Sequence, residues 1–132
     1  MDEKLIQQHM DQLLFAQQGE LDAVLMYNRL AEKVKDPKDA AAFKQLAAEE
    51  GRHASVFHNY TRRVLKPKKT KAVFVPMLYS IVGRKVLYPI IAKEEYAAAE
   101  KYKEIVSLFP DVESVMQDET RHGNIVKGLL GE

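Results

Sequence analysis

Apolar residues recur along most of the chain at alternating spacings of three and four positions, the pattern of an amphipathic α-helix. Four segments carry this pattern, and they predict helices over about residues 3–34, 37–64, 87–108 and 111–130. A KDPKDA turn separates the first two helices, and FPDVES separates the last two. Because no β-strand alternation interrupts these segments, the pattern predicts an all-α protein.

The lengths of the connections predict how the helices are arranged. The first and third connections are only a few residues long, so each pair of helices should form an antiparallel hairpin. The second connection, about residues 65–86, is long enough to run the length of a bundle and return. We therefore expect a single domain over residues 1–132, a four-helix bundle of two hairpins joined by a long crossover.

The inward-facing seam of each predicted helix is apolar except near its middle. There each helix carries one glutamate, and the second and fourth helices carry a histidine three residues later. In the third helix Glu95 continues the seam, whereas Glu94 is displaced by about 100° around the axis. Equal distances from the connecting turn place Glu20 and Glu50 at one height. We expect six side chains to converge in the core: Glu20, Glu50, His53, Glu95, Glu119 and His122.

The two halves of the chain repeat this arrangement. Glu20 and Glu95 are each followed by a tyrosine seven residues later, and the second helix of each half carries a similar pentad, EEGRH at 49–53 and DETRH at 118–122. A single Glu-x-x-His pair is usually a solvated surface pair. Two copies, each with a glutamate on the partner helix, favour a common interior site instead.

Four carboxylates in one core need a compensating charge, because an unpaired buried charge is very costly. No Lys or Arg lies on the predicted seams, so side chains do not supply that charge. Two divalent cations would balance the four carboxylates, and two neutral imidazoles would complete the ligand set. Such an oxygen-rich set suits iron or manganese better than a structural zinc. We therefore predict a pair of iron ions, with manganese as the alternative.

Composition narrows the chemistry and the location. The chain has no cysteine, which excludes disulfides, iron–sulfur clusters, rubredoxin-type centres and thiol catalysis. Its net charge of +1 gives no reason to expect a nucleic-acid partner. The N-terminal MDEKLIQQHMDQ is acidic and amphipathic rather than a signal peptide, so the cytoplasm is the expected location.

An apolar connector covers residues 72–92. Its uninterrupted apolar run is shorter than the roughly 20 residues of a membrane-spanning helix, and Arg84 and Lys85 divide it, so we expect no transmembrane segment. Exposed apolar residues here suggest that a homodimer buries them, and a shallow membrane contact is the alternative. A connector of this length also allows helices to be exchanged between two chains, giving a helix-swapped dimer.

These motifs resemble those of the ferritin-like di-iron carboxylate proteins, and most of all the erythrin domain of rubrerythrins. The resemblance covers nearly the whole chain and rests on the six seam residues. It implies that Tyr27 and Tyr102 hydrogen-bond to ligand carboxylates. The pentads also resemble a motif of larger di-iron oxygenases, in which a leading acid and an arginine orient the ligand histidine. That likeness implies that four residues orient the ligand histidines without binding metal themselves: Glu49, Arg52, Asp118 and Arg121. Plain surface salt bridges are the alternative role for them.

The resemblance implies a di-iron oxidoreductase that reduces hydrogen peroxide, or dioxygen, with electrons from an external donor such as a rubredoxin. Two features depart from full-length rubrerythrins: no cysteine-containing rubredoxin domain is present, and Ala92 and Ala98 flank Glu95 where those proteins carry a further glutamate. The departures leave alternatives open. These are a ferroxidase that handles iron, a di-iron oxygenase acting on a small substrate, and a metal-free helical interaction module.

Overall fold

The computed structural model describes residues 2–131, and over that range it contains six α-helices and no strand. This confirms the predicted all-α, ferritin-like architecture. The helices are α1 (Glu3–Gln8), α2 (Met10–Lys33), α3 (Pro37–Thr61), α4 (Thr70–Val82), α5 (Arg84–Tyr102) and α6 (Val112–Gly128).

Two helical hairpins, α2–α3 and α5–α6, pack together, and α4 lies along α2 as the crossover between them. The first hairpin turns where the sequence indicates. Asp36 caps α3, its carboxylate accepting a 2.8 Å hydrogen bond from the Lys38 amide, and Pro37 occupies the first helical position. Both features favour a helix start, because the cap satisfies a free amide and proline has none to satisfy.

The first two predicted helices each break or end earlier than expected. The first is interrupted at His9, whose Nδ1–H donates to the Leu5 carbonyl at 3.0 Å. The second ends at Thr61 instead of residue 64, because Arg62 adopts a left-handed conformation with φ 58°. Val64, the last residue of the predicted second helix, therefore lies outside α3 and is 88% exposed.

The third and fourth predicted helices also have different bounds. The third begins at Arg84 instead of residue 87 and ends at Tyr102 instead of residue 108, because residues 103–108 form successive turns. The fourth, α6, is shorter than predicted by one residue at its start and two at its end. Ile105 and Phe109 are nevertheless buried, so the turns keep the apolar side of the chain on the bundle.

The crossover is helical, whereas the sequence indicated only a connector. Its entry is held on α2, where the Asp22 carboxylate accepts from the Lys68 amide at 2.7 Å. Its exit is Gly83, whose φ of 78° suits glycine and turns the chain directly into α5. Ala72 is buried against the bundle, and Val75 and Leu78 pack on its core. None of the helices within residues 2–131 is both long enough and apolar enough to cross a membrane.

An ion pair between buried Asp39 and partly exposed Arg84 fixes the start of α5 on α3 and the end of α6. The Arg84 guanidinium donates to both carboxylate oxygens of buried Asp39, at 3.0 and 3.1 Å, and to the Leu129 carbonyl at 2.6 Å. Tyr88 donates to the same Asp39 carboxylate at 2.6 Å. These bonds join the second hairpin to the first at one end of the bundle.

The core consists of two apolar clusters. One gathers Tyr27, Leu30, Phe43 and Tyr88 towards the α2–α3 turn, and the other gathers Leu13, Phe57, Tyr60, Phe109 and Val112 towards the opposite end. Along each of the four main helices, the predicted seam glutamate falls between the residues of the two clusters. The polar seam residues therefore form a layer enclosed by apolar packing above and below.

Candidate metal centre

All six seam residues predicted as ligands meet in this enclosed layer. Each of the six residues is no more than 7% exposed. Single ligand atoms from four of them lie within 4.8 Å of one another in each of two groups. The first group is Glu20, Glu50, His53 and Glu119, and the second is Glu50, Glu95, Glu119 and His122.

Two glutamates belong to both groups. Glu50 and Glu119, one from each hairpin, are shared, while each group has one further glutamate and one histidine of its own. The imidazole rings of His53 and His122 lie nearly parallel, with centroids 5.5 Å apart. The two groups are thus adjacent and have two carboxylates in common.

The two histidines present the same atom to the carboxylates. His53 Nδ1 lies 2.9 Å from Glu50 Oε1, 3.0 Å from Glu119 Oε1 and 3.3 Å from Glu20 Oε2. His122 Nδ1 lies 3.0 Å from Glu95 Oε2, with the oxygens of Glu50 and Glu119 at 3.3 and 3.4 Å. The surroundings of the two imidazoles are therefore related by the internal repeat.

Several of these buried atoms form no hydrogen bond. Among the described residues, Glu20 Oε2, Glu50 Oε1, His53 Nδ1 and Glu119 Oε1 are fully enclosed yet lack a hydrogen-bond partner. Buried polar atoms are rarely left unsatisfied, and here they converge on one volume. Three carboxylate oxygens and an imidazole nitrogen in this arrangement fit a bound cation, and the whole set of four carboxylates and two imidazoles fits two divalent ions.

The charges of the layer shift its protonation when no metal compensates them. Burial, with the charge of Glu119 adding to it, raises the pKa of Glu95 to about 7. Burial alone would lower the pKa of His53, but the facing carboxylates of Glu119, Glu20 and Glu50 raise it to about 12. Protons and metal ions therefore compete for the same atoms, as is general for ligands that bind in their deprotonated form.

The outer side of each histidine contacts an acid from the other hairpin. His53 Nε2 lies 2.8 Å from Asp118 Oδ2, and His122 Nε2 lies 2.8 Å from Glu49 Oε1. The leading acid of each pentad thus faces the histidine of the other pentad. The repeat made both acids candidates for this role, but it did not indicate that the pairs would cross.

Two arginines bind these outer acids. Arg52 Nη2 donates to Asp118 Oδ2 at 2.5 Å, and Arg121 donates to Glu49 and, at 3.2 Å, to its own neighbour Asp118. Both arginines are about half exposed, whereas the acids are about four-fifths buried. The acids therefore link the exposed guanidinium groups to the buried imidazoles.

The two seam tyrosines also cross between the hairpins. Tyr102 donates a 2.8 Å hydrogen bond to Glu20 Oε1, and both residues are buried. Tyr27 is buried beside Glu95: burial, and then the negative charge of Glu95, raise the pKa of its hydroxyl well above the ordinary value. Each tyrosine thus adjoins the glutamate of the other hairpin.

One close contact beside the centre was not expected from the sequence. The ring of Tyr96, which follows Glu95, packs over Gly123, which follows His122; a Cβ atom at Gly123 would lie 2.4 Å from the ring. The Tyr96 hydroxyl donates to Asn124 at 2.6 Å. A glycine inside a helix costs stability, and here its absent side chain makes room for the ring.

Comparison with known proteins gives one positive result. Neither the curated proteins nor the solved structures yielded a match. The family model described as Rubrerythrin matches residues 11–130, a range that contains both hairpins and the whole buried layer. The chain therefore belongs to the rubrerythrin family, whose erythrin domain is a ferritin-like di-iron fold.

Proposed function

We propose that the protein is a di-iron oxidoreductase that reduces hydrogen peroxide, or dioxygen, with electrons from an external donor protein such as a rubredoxin. The observation that carries this proposal is the pair of overlapping ligand groups that share Glu50 and Glu119. A family model over residues 11–130 supports it. Reduction of one peroxide to two water molecules consumes two electrons and two protons.

In this proposal each hairpin supplies half of the ligands. Glu20 and His53 would hold one iron, Glu95 and His122 the other, and Glu50 and Glu119 would bind both. Two iron ions, when bound, supply the pair of electrons that peroxide reduction requires. Four carboxylates balance the charge of two divalent ions, which explains why no Lys or Arg is needed in the buried layer.

The surrounding side chains would orient the ligands. Because Asp118 and Glu49 accept from the Nε2–H groups of the histidines, each Nδ1 is directed towards the carboxylates and can offer its lone pair. Tyr102 holds one oxygen of Glu20, which leaves Glu20 Oε2 without another partner. The two apolar clusters exclude bulk water above and below the layer.

Metal content and reoxidation rates test the proposal. We expect the chain, reconstituted anaerobically with ferrous iron, to bind two ions. Rapid mixing of the reduced protein should give fast oxidation by peroxide, with one peroxide consumed per iron pair, and slower oxidation by dioxygen. The rate is measured from the absorbance of the oxidised centre.

Matched variants give the control. Glu50→Ala and Glu119→Ala remove a shared carboxylate and should abolish binding of both ions. Glu94→Ala removes the adjacent, exposed carboxylate and should leave iron content and rates unchanged. Oxidation by dioxygen with iron accumulating beyond two ions per chain would favour iron handling instead, and failure of the reconstituted chain to bind iron or manganese would refute a metal enzyme.

A further inference from the structure

An exposed apolar surface extends along α4 and the start of α5, on the side away from the bundle. Phe74 is 52% exposed and Ile81 72%, although α4 packs its other side on α2. We call this surface the crossover face; its exposed apolar residues are Val73, Phe74, Met77, Ile81, Val86 and Ile90. Large apolar side chains exposed together along one helix often mark a binding surface.

The charge of the surrounding segment is entirely basic. Residues 62–93 contain nine of the 20 Lys and Arg residues and none of the 19 Asp and Glu residues. The remainder, with eleven basic and 19 acidic residues, has a net charge of −8. The chain is therefore nearly neutral in total, although its positive and negative charges lie in different segments.

The basic residues lie at both ends of α4. Lys66, Lys68, Lys69 and Lys71 surround its start, and Lys85 follows its end. All five are exposed, and within residues 2–131 none of them forms an ion pair, in contrast to Arg84, which is bound to Asp39. Their charges are therefore available to an anionic partner.

This distribution argues against a second copy of the chain as the occupant, which the sequence alone had suggested. In a two-fold dimer the same patch faces itself. Because both ends of α4 are basic, parallel and antiparallel pairing would each bring lysines together. No acid within residues 62–93 could offset that repulsion.

An anionic lipid surface matches both properties. Lysines at the rim of an apolar helix are attracted to anionic headgroups, while apolar side chains enter the boundary between headgroups and acyl chains. At 13 residues α4 is about 20 Å long, too short to cross a bilayer but suited to lie in its surface. We propose that the crossover face binds the surface of membranes that contain anionic lipids.

Vesicle flotation of the full chain tests this proposal. We expect the protein to float with vesicles of phosphatidylcholine containing about one third phosphatidylglycerol and not with vesicles of phosphatidylcholine alone, with binding weakened by salt. Lys68→Gln/Lys69→Gln/Lys71→Gln should weaken binding about a hundredfold. Phe74→Ser/Ile81→Ser should weaken it about tenfold or more.

Matched controls change the same residue types elsewhere on the surface. Lys38→Gln/Lys44→Gln/Lys127→Gln and Phe15→Ser/Leu108→Ser alter exposed residues outside the crossover face and should leave flotation unchanged. Circular dichroism and iron content of all variants should equal those of the parent. Iron content also separates this test from that of the proposed activity.

Three results would overturn the proposal. The first is absence of flotation with the anionic vesicles at low salt. The second is flotation that neither set of crossover substitutions weakens. The third is a dimer, seen by sedimentation in the absence of lipid, that Phe74→Ser/Ile81→Ser converts to monomers in a chain that does not float; this would identify the face as an interface between copies.

Discussion

The two hairpins carry the same motif but are not equivalent in structure. Next to the centre, α5–α6 packs Tyr96 over Gly123, whereas the corresponding positions of α2–α3 are Leu21 and Ala54. His122 Nδ1 forms a hydrogen bond with Glu95 of its own hairpin. The equivalent His53 Nδ1 forms none, and Glu20 is instead bound by Tyr102 of the other hairpin. The repeat thus preserves the ligand types while the surrounding packing has diverged.

Neither hairpin forms a complete centre alone. Each of the two ligand groups that could hold a metal ion includes a glutamate from the other hairpin, and each histidine contacts the other hairpin's acid. Docking of the two hairpins therefore assembles the ligands and their supports in one step. The sequence motif is repeated in each hairpin, but the ligand groups are complete only when both hairpins are packed together.

Among the changes that distinguish the two hairpins, removal of an unshared ligand should have the largest effect, because it should empty one of the two positions. We expect Glu20→Ala to lose the ion held with His53, and Glu95→Ala to lose the ion held with His122, so that each retains about one iron per chain. Anaerobic reconstitution followed by metal analysis measures this. Loss of both ions in either variant would show that the two positions cannot be filled independently.

The pH dependence of the metal-free chain should differ between the inner and outer residues. Because burial raises the pKa of Glu95 from 4.5 to about 7, the stability gained from its proton is complete below pH 4.5 and lost as pH rises through 7. The free energy of unfolding lost in this way is about 3 kcal/mol. His53, with its pKa raised from 6.5 to about 12, should continue the decline above pH 6.5.

The contribution of the outer acid Glu49 to stability changes with pH in the opposite direction. Burial opposes the shift, but bonds from Gln45, His122 and Arg121 lower its pKa to about 2, so its contribution is present above pH 4.5 and lost as pH falls through 2. Thermal unfolding with a chelator should therefore give a maximum in melting temperature near pH 4.5, the ordinary pKa of both carboxyls. Glu95→Gln should reduce the decline between pH 4.5 and 7; a melting temperature that rises over this interval would contradict the assignment.

Substitution of the outer acids should reveal the crossing directly. In Glu95→Ala, which keeps the position of Glu20 and His53, Asp118→Asn should weaken the remaining ion about 10- to 100-fold. Glu49→Gln should have little effect in that background, because Glu49 contacts His122. Competition with a chromophoric chelator measures the dissociation constants.

The exposed acid Glu113 provides the control, since it lies on α6 but contacts only Gln117 by a side-chain hydrogen bond. Glu113→Gln should leave iron affinity unchanged in the Glu95→Ala background. If Glu49→Gln, and not Asp118→Asn, weakened the ion in Glu95→Ala, each acid would serve its own hairpin and the crossed arrangement would be wrong.

The packing difference between the hairpins should give the smallest effect. Gly123→Ala would gain about 1 kcal/mol of helix propensity, but the new Cβ lies 2.4 Å from the Tyr96 ring. Because overpacking costs about 1–3 kcal/mol, we expect a net loss of about 1 kcal/mol in the free energy of unfolding, measured with urea.

The first hairpin suggests the compensating change. Gly123→Ala/Tyr96→Leu reproduces the combination found at Ala54 and Leu21 and should be more stable than Gly123→Ala alone. Ala54→Gly, where no tyrosine ring needs the space, should lose about 1 kcal/mol from helix propensity. Equal stability of Gly123→Ala and the double variant would show that the ring does not require the glycine.

Much of the fold could be predicted because its determinants are local. Helical periodicity identified the four main helices, and connection lengths predicted two hairpins and a crossover. The errors lie at helix ends and in the crossover. Arg62 ends α3 in a left-handed conformation, which could not be predicted from an arginine at that position. The helix α4 was predicted as a connector, because an apolar run without polar alternation gives no clear helical period.

The sequence by itself determined the composition and level of the buried layer, because 3.6 residues per turn and 1.5 Å per residue fix both the direction and the height of a side chain on a helix. It thereby identified Glu20, Glu50, His53, Glu95, Glu119 and His122 as one group. Only the tertiary structure decided which groups pair. The contacts of Asp118 with His53, of Glu49 with His122 and of Tyr102 with Glu20 join opposite hairpins, and their choice depends on how two separately folded surfaces dock.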